Sequence, residues 1–466
     1  MYGKFFVTQH FPHQVTEGQA VAIRRLETFL FAGGAESLFL LKGYAGTGKS
    51  SLTGALVKAI HEAGGKCVLL APTGRAAKVF SAYAGQQAFT IHKKIYRRQK
   101  FSNEPSAFLP AENIHADTFF IVDEASMIAN DGLGSFSFGS GRVLDDLIHY
   151  VYSGENCRLI LLGDDAQLPP VGQTQSLALS ASNLTGYGLS VEEVTLTQIV
   201  RQAEASGILH NATLLRDALQ RGDFSSFPAF SLQGFTDIRR TSGDEFIEDI
   251  AAAYSRDGFE ETIIITRSNR RAVIFNNGVR NRILCREEEL SAGDLLMIAK
   301  NSYFLPPDAE DLGFIANGDI LRVRRVRRIT ELYGFRFADI TAYFPDYERE
   351  LDVKVLLDTL QADAPSLTAE QNTQLSQAIL DDYTDLHTRR DKLRRLKTDP
   401  FYNALRIKYA YAVTCHKAQG GQWRNVFLEA APPASGVDES YYRWLYTAFT
   451  RATQRLFLLL PHTGGN

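Results

Sequence analysis

A glycine-rich stretch near the start of the chain has the residue types needed to hold a chain of phosphates. Residues 43–50 read GYAGTGKS and fit the pattern G-x-x-x-x-G-K-[ST] without a mismatch. Glycines let the backbone N–H groups turn inward toward phosphate oxygens, while Lys49 adds a positive charge and Ser50 offers a hydroxyl to Mg²⁺. We therefore predict that a nucleoside triphosphate is bound here, by Gly43, Ala45, Gly46, Thr47, Gly48, Lys49, Ser50 and Ser51.

Two acidic residues follow an apolar run further along the chain. Residues 118–122 read TFFIV, and Asp123 and Glu124 come directly after them. At the end of a strand beside the phosphate-binding loop, Asp123 can hold the shell of a Mg²⁺ ion and Glu124 can orient or deprotonate the attacking water. The alternative is an acidic helix N-terminus, which leaves the apolar run unexplained. We predict Lys49 and Glu124 as catalytic residues, and Ser50 and Asp123 as metal ligands.

A third polar group follows the apolar run at residues 158–162. The run leads into GDDAQLPPVG, which contains Asp164 and Gln167. If this strand neighbours the one before Asp123, the Gln167 amide can hydrogen-bond the terminal phosphate or the attacking water. We predict a catalytic role for Gln167; the alternative is a strand–turn–helix junction with polar caps.

Short apolar runs that alternate with amphipathic helices must position these residues. Such runs predict an α/β fold with parallel sheets covered on both faces. Residues 286–404 differ, because short β-like runs there precede a charged helical stretch. We predict a first domain from residues 1–92 and 117–188, a small insert at 93–116, a second domain from 189–285 and 405–466, and a β insert with a helical arm at 286–404.

Composition sets the outer limits on function. The chain has 466 residues, of which 45% are hydrophobic and 22% charged, values that exclude a coiled coil or wholesale disorder. The four cysteines form no C-x-x-C pair, and no apolar run is long enough for a membrane span, so we expect a cytoplasmic protein with reduced thiols. The net charge of −3 means that any nucleic-acid binding must come from local basic stripes.

Eight motifs occur in a fixed order along the chain: GYAGTGKS, APTGRAA, TIH, VDEAS, GDDAQLPPVG, RQ, TCHKAQG and YTAFTRA. The set resembles the superfamily 1B DNA helicases, with RecD-like and phage Dda-like enzymes nearest in plan, and we expect no likeness to UvrD-like enzymes. The resemblance implies two RecA-like domains, a β-hairpin in the first and an SH3-like insert in the second. It also implies an ATP- and Mg²⁺-dependent DNA helicase that travels 5′ to 3′.

The same resemblance assigns three further residues to the nucleotide site. Gln19 matches a glutamine that reads the adenine edge; the alternative is a residue on the surface of an N-terminal helix. Arg201 and Arg451 match two arginine fingers that reach the γ-phosphate from the second domain, where a planar guanidinium suits a phosphate. The alternative for each arginine is a structural ion pair.

The remaining motifs are implied to form a track for single-stranded DNA. Hydroxyls, amides and a lysine suit a sugar–phosphate backbone with little sequence readout. The implied contacts are Pro72, Thr73, Arg75, Thr90, His92, Thr414, His416, Lys417 and Gln419.

Basic residues interleaved with aromatics follow His92 in the insert 93–116, which is long enough for a hairpin. We predict a pin that splits the duplex, with Phe101 or Phe108 as its apolar tip; a surface loop is the alternative. The predicted partners are single-stranded DNA and its junctions with duplex, bound by a monomer. An RNA-directed helicase and a non-catalytic P-loop module remain as alternative functions.

Overall fold

The computed structural model describes residues 6–98, 108–130, 139–200, 205–302, 304–306, 309, 312, 314–364, 366–433 and 436–460. Its strands, in chain order, are β1 (Ser37–Gly43), β2 (Lys66–Ala71), β3 (Ala88–Thr90), β4 (Tyr96–Arg98), β5 (Phe108–Pro110), β6 (Thr118–Val122), β7 (Arg158–Gly163), β8 (Ser190–Leu196), β9 (Ile238–Thr241), β10 (Thr262–Thr266), β11 (Leu295–Ile298), β12 (Ile320–Leu332), β13 (Phe335–Phe344), β14 (Arg349–Leu356), β15 (Leu405–Tyr409), β16 (Ala412–Thr414), β17 (Trp423–Glu429) and β18 (Ala452–Leu459).

The α-helices lie mainly between the strands of the two parallel sheets and after the first four strands of the barrel. In chain order they are α1 (Glu17–Ala32), α2 (Lys49–Glu62), α3 (Gly74–Ala84), α4 (Ile91–Ile95), α5 (Val143–Tyr152), α6 (Ala181–Thr185), α7 (Gly207–Arg221), α8 (Gly243–Asp257), α9 (Asn269–Gly278), α10 (Ala369–Asp382), α11 (Arg389–Leu396), α12 (Cys415–Ala418) and α13 (Glu439–Phe449). A π-helical turn, Val279–Ile283, follows α9. Within the described residues, no helix is both long and apolar enough to cross a membrane.

The first sheet is parallel, with its strands in the order β3-β2-β6-β7-β1-β8. Successive residues of β1 face opposite layers: Phe39 and Leu41 pack in the cluster formed with α1, α2 and α3, while Leu38 and Leu40 pack with α4, α5 and α6. Burial on both faces explains why the central strands are continuous apolar runs. The predicted doubly covered parallel sheet is confirmed.

One predicted domain boundary is wrong here. Strand β8 pairs along its whole length with β1, so residues 190–196 belong to the first sheet and not to the second domain. The sequence SVEEVTL hides this because β8 is an edge strand, and its solvent side carries polar residues in place of a continuous apolar run.

The second sheet is also parallel, in the order β16-β10-β17-β18-β9. Its strands come from both sides of the long β insert, as the sequence predicts. Helix α13 and the large buried rings of Phe427 and Phe449 lie in the core that covers this sheet. The second α/β domain is therefore assembled from two separate chain segments.

The β insert is a closed barrel of β11, β12, β13, β14 and β15. Strand β15 pairs with both β11 and β14, so the predicted boundary at residue 404 falls too early. The sequence hides this boundary because β15 runs almost directly into β16 of the second sheet. The predicted helical arm packs on the barrel through Leu375 and Ile379 of α10, which lie in one cluster with Phe335 and Phe337.

The small insert forms the predicted hairpin, in which β4 and β5 pair antiparallel. Phe101 and the rest of residues 99–107 lie outside the described residues. Phe108 is buried in β5, and its ring centroid is 6.2 Å from that of Phe314. The prediction of Phe108 as an exposed tip is therefore wrong, because this ring packs at the base of the hairpin.

Arg158 ties the C-terminal end of α1 to the first sheet. Its guanidinium donates to the carbonyl oxygens of Phe29 (2.6 Å), Gly33 (3.1 Å) and Leu30 (3.1 Å). Replacing Arg158 by methionine leaves these carbonyls without that donor, so we expect the free energy of unfolding to fall by about 1–3 kcal/mol in chemical denaturation. Arg394→Met, on an exposed face of α11, is the control and should change it by less than about 0.5 kcal/mol. An equal decrease in the free energy of unfolding for both variants would show that the hydrogen bonds of Arg158 do not stabilise the fold.

Candidate active site

The phosphate-binding loop joins β1 to α2 at the carboxyl edge of the first sheet. Gly46 and Gly48 have φ angles of 76° and 82°, values that favour glycine and turn the loop around its own N–H groups. Gly48 is the N-cap of α2, so the unpaired N–H groups and the positive end of the helix dipole face the inside of the loop. Lys49, Ser50 and Ser51 follow on the first turn of α2.

The Lys49 ammonium group lies across the mouth of this loop. It donates a hydrogen bond to the Gly43 carbonyl oxygen and lies 4.0 Å from Oδ2 of Asp164. Asp164 is fully buried, which raises the pKa of its carboxyl, while the nearby Lys49 charge acts in the opposite direction. The ends of β1 and β7 therefore bring the lysine and this carboxylate together, as neighbouring parallel strands should.

Asp123 and Glu124 stand at the end of β6, between β2 and β7. Asp123 accepts hydrogen bonds from the Tyr83 hydroxyl (2.5 Å) and from the Glu124 N–H (2.8 Å). Burial, followed by the Glu124 charge, raises the pKa of Asp123 to about 6. Two neighbouring carboxylates that are only partly exposed suit a divalent cation, which would supply positive charge, and the Ser50 hydroxyl is a chemically matched second ligand.

Arg451 faces Glu124 across the cleft between the two sheets. Its Nη1 lies 3.6 Å from Oε1 of Glu124, and the arginine side chain is only 3% exposed. Glu124 itself has a φ angle of 52°, a left-handed conformation that costs energy for a non-glycine residue and is common at functional sites. The structure therefore brings together two predicted catalytic residues from different domains. Arg201 lies outside the described residues.

Gln167 lies in the loop after β7. It is buried, and its Oε1 atom has no hydrogen-bond partner among the described residues. A buried amide oxygen left without a partner is costly, so this side chain is suited to a ligand or an ordered water.

Gln19 is buried, which rules out the alternative of a helix-surface residue. Its Oε1 accepts from the Thr16 N–H (2.9 Å), and its Nε2 donates to the Thr47 carbonyl oxygen (2.9 Å). The side chain thus caps α1 and supports the phosphate-binding loop. A cleft of about 840 Å³, lined by residues 13–17 and 197–200, opens beside it.

Three motifs of the predicted DNA track meet along one surface. Ala71 of β2 pairs with Thr90 of β3, which brings Pro72 and Thr73 beside the TIH motif. On the other side of the cleft, Gly420 packs so tightly that an added Cβ would lie 2.7 Å from the Cβ of Ala76. The motifs that follow β2, β3 and β16 are therefore contiguous across both domains.

The side chains of this surface differ in charge, in exposure and in whether their polar atoms already have hydrogen-bond partners. Thr73 and Thr90 are N-caps whose hydroxyls accept from the N–H groups of Ala76 and Lys93. Burial lowers the pKa of His92 to about 4, so this ring is neutral at pH 7 and brings no charge to a phosphate. His416 is exposed, with Thr414 and Lys417 half-buried beside it.

Two residues of the predicted track hold the domains together. The Arg75 guanidinium lies 3.9 Å from the centre of the Trp423 ring and donates to the Gln422 carbonyl oxygen (3.3 Å). Gln419 is buried, and its Nε2 donates to the Leu168 carbonyl oxygen at 2.8 Å. The structure thus places the Gln419 side chain between the domains and away from an open track, because its amide hydrogen-bonds across the cleft.

Two family models match the chain, the AAA domain at residues 14–227 and the UvrD-like helicase C-terminal domain at residues 409–459. ATP-dependent DNA helicase dda of Enterobacteria phage T4 is 22% identical, covering 90% of this chain and 93% of that protein. In these matches the chain is similar to the superfamily 1B helicases. The expectation of no likeness to UvrD-like enzymes is wrong for the C-terminal segment, which holds the last two motifs and strands of the second sheet.

Two further relatives differ in how much of the chain they match. The uncharacterized protein R530 of Acanthamoeba polyphaga mimivirus is 23% identical and covers 91% of this chain and 95% of its own. ATP-dependent RecD2 DNA helicase of Deinococcus radiodurans is 31% identical over 38% of this chain, and the match spans 21% of RecD2.

Sequence reasoning missed three aromatic residues of this site. They are Tyr83 on Asp123, Trp423 under Arg75, and Tyr446, whose hydroxyl reaches the phosphate-binding loop. Only Tyr446 lies inside a motif, as the first residue of YTAFTRA. An aromatic residue with a hydroxyl at that position was the one feature of the sequence that could have pointed to it.

Proposed function

We propose that this protein is an ATP-dependent DNA helicase that moves 5′ to 3′ on a single strand and unwinds the duplex ahead of it. The observation that carries the proposal is the approach of Arg451 to Glu124 across the cleft, where the two side chains are 3.6 Å apart. A site completed by two domains changes when they move, so hydrolysis and movement can be coupled.

In this proposal the described residues divide the chemistry of ATP hydrolysis. The loop N–H groups and Lys49 hold the phosphates. Ser50 and Asp123 would hold Mg²⁺, which would supply positive charge to the phosphate oxygens. Glu124 accepts the proton of the attacking water, and Gln167 orients that water. Arg451 stabilises the charge that develops as the phosphoryl group leaves, and Arg201, which lies outside the described residues, is assigned the same role from its motif. The cleft at the N-terminal end of α1 would receive the adenine, and Gln19 would reach the adenine edge by exchanging its hydrogen bonds to Thr16 and Thr47.

The deciding experiment compares ATP hydrolysis without nucleic acid, with poly(dT) and with poly(U). We expect strong stimulation by poly(dT). Greater stimulation by poly(U) would favour the RNA-directed alternative, and no hydrolysis under any condition would leave a non-catalytic P-loop module.

Direction is tested with tailed duplexes. A duplex with a 5′ single-stranded tail should be unwound, and one with only a 3′ tail should not. Each base-pair step to be opened costs about 1.4 kcal/mol of stacking, so the assay needs ATP throughout. The reverse preference would remove the assigned polarity but leave the ATPase site intact. We further propose that the protein acts as a monomer; its cytoplasmic location stays a prediction.

The hairpin of β4 and β5 is proposed to be the wedge that splits base pairs. Its base follows α4, the short helix that contains His92, and packs on Phe314 through Phe108, so the hairpin is fixed beside the proposed track. Replacing residues 97–109 by a short glycine linker should spare ATPase stimulation by DNA and abolish unwinding, both measured on the same 5′-tailed duplex. Equal loss of both activities would mean that the hairpin only supports the fold.

A further inference from the structure

The loop at residues 164–168, after β7, is held by side chains from the second domain. The Thr447 hydroxyl accepts from the Leu168 N–H at 2.8 Å, and Gln419 donates to the Leu168 carbonyl oxygen. Arg443 donates to the carbonyl oxygen of Asp165. The loop that carries Asp164 and Gln167 is therefore a major point of contact between the domains.

Tyr446 extends this contact into the phosphate-binding loop itself. The residue is 1% exposed, and its hydroxyl donates to Oδ2 of Asp164 at 2.6 Å. The same hydroxyl accepts from the N–H of Ala45 at 2.9 Å. One side chain of the second domain thus holds both a carboxylate near Lys49 and a backbone N–H of the phosphate-binding loop.

The position of Tyr446 on its helix connects it to Arg451. Tyr446 and Thr447 form the last turn of α13, and Arg451 follows two residues after the helix ends. The Tyr446 carbonyl accepts from the Thr450 N–H at 3.1 Å, and Nε of Arg451 donates to the Thr447 carbonyl at 3.1 Å. A shift of this turn relative to the first domain therefore carries Arg451 with it.

We propose that Tyr446 is a positioning residue, whose hydroxyl fixes the last turn of α13 against Asp164 and Ala45 and thereby sets the distance from Arg451 to Glu124. The inference rests on the proposed function, because it assigns a means of controlling hydrolysis. A buried tyrosine hydroxyl needs partners, and both partners here belong to the other domain. The tie exists only while the cleft is closed, so it makes hydrolysis depend on closure.

The test is Tyr446→Phe, which keeps the ring and removes only the hydroxyl. We expect kcat for ATP in saturating poly(dT) to fall about tenfold, the scale of one hydrogen bond to a charged group. The KM for ATP should stay constant or fall, because Ala45 regains a free N–H. Tyr442→Phe is the matched control: its hydroxyl, on the same helix, donates to the Ser226 carbonyl of its own domain, so kcat should not change.

A double substitution separates positioning from general support. If Tyr446 acts through Arg451, Tyr446→Phe should have no further effect on kcat in an Arg451→Ala background, while Tyr442→Phe stays silent in both. Additive losses, or wild-type kcat in Tyr446→Phe, would overturn the inference. Absence of DNA-stimulated hydrolysis in the wild type would instead overturn the proposed function. If Tyr446→Phe does not fold, Asp164→Asn weakens the same contact and must show the same dependence on Arg451.

Discussion

Replacing Glu124 by glutamine is expected to slow ATP hydrolysis by about 10²- to 10⁴-fold while ATP still binds with wild-type affinity. The amide keeps the shape of the carboxylate but cannot accept the proton of water, and a positioned general base contributes on that scale. The substitution also removes the negative charge that faces Arg451. Because that charge raises the pKa of Asp123, the pKa of Asp123 should fall in the variant. Steady-state turnover with poly(dT) and equilibrium titration with a fluorescent ATP analogue measure the two quantities.

Lys49→Ala provides the contrast to this variant. Lys49 lies in the loop that holds the phosphates, so its loss should weaken ATP binding itself, whereas Glu124→Gln should not. Near wild-type turnover by Glu124→Gln would show that another group takes the proton.

Replacing Arg451 by alanine is expected to reduce kcat by about 10³-fold or more, with a small change in the affinity for ATP. The contact of an arginine finger strengthens as charge moves to the leaving group, so its loss is felt mainly in the transition state. Single-turnover hydrolysis measured beside ATP titration separates these effects.

Arg455→Ala is the matched control for this substitution. Arg455 lies in β18, close to Arg451 in sequence, but its guanidinium faces Asp257 at 3.6 Å and is partly exposed. Its loss should leave kcat unchanged. A weaker affinity for ATP with normal turnover in Arg451→Ala would mean that the contact with Glu124 is a structural ion pair.

The architecture could be predicted where burial leaves a strong mark on the sequence. Central strands such as β1, β6, β7 and β10 are apolar on both faces. Their apolar runs, and the helices between them, can therefore be recognised from the sequence alone. The two misplaced boundaries have opposite causes. Strand β8 is a polar edge strand, whereas β15 is apolar but belongs to the barrel, and local periodicity does not state which sheet a strand joins.

The residues of the candidate site also fall into two groups, those that the sequence predicts and those that it does not. Residues 43–50, Asp123, Glu124 and Arg451 are motif residues whose chemistry follows from type and spacing. The contacts of Gln419 and Tyr446 depend on how two domains face each other, and no local pattern encodes that arrangement. Phe108 is a third case, because an apolar residue in a hairpin suits either a tip or a buried base, and only the packing of Phe314 decides.

Helix α3 makes a contact with the second domain at one end and a contact with Asp123 at the other. Arg75, in its first turn, stacks on Trp423 of the second domain. Tyr83, one residue before its end, donates a hydrogen bond to the Asp123 carboxylate. Its 11 residues span about 16 Å at 1.5 Å per residue. If a bound nucleic-acid strand displaced Arg75, α3 would move as a rigid body. Tyr83 and its hydrogen bond to the Asp123 carboxylate would then move with it, without any change inside the helix.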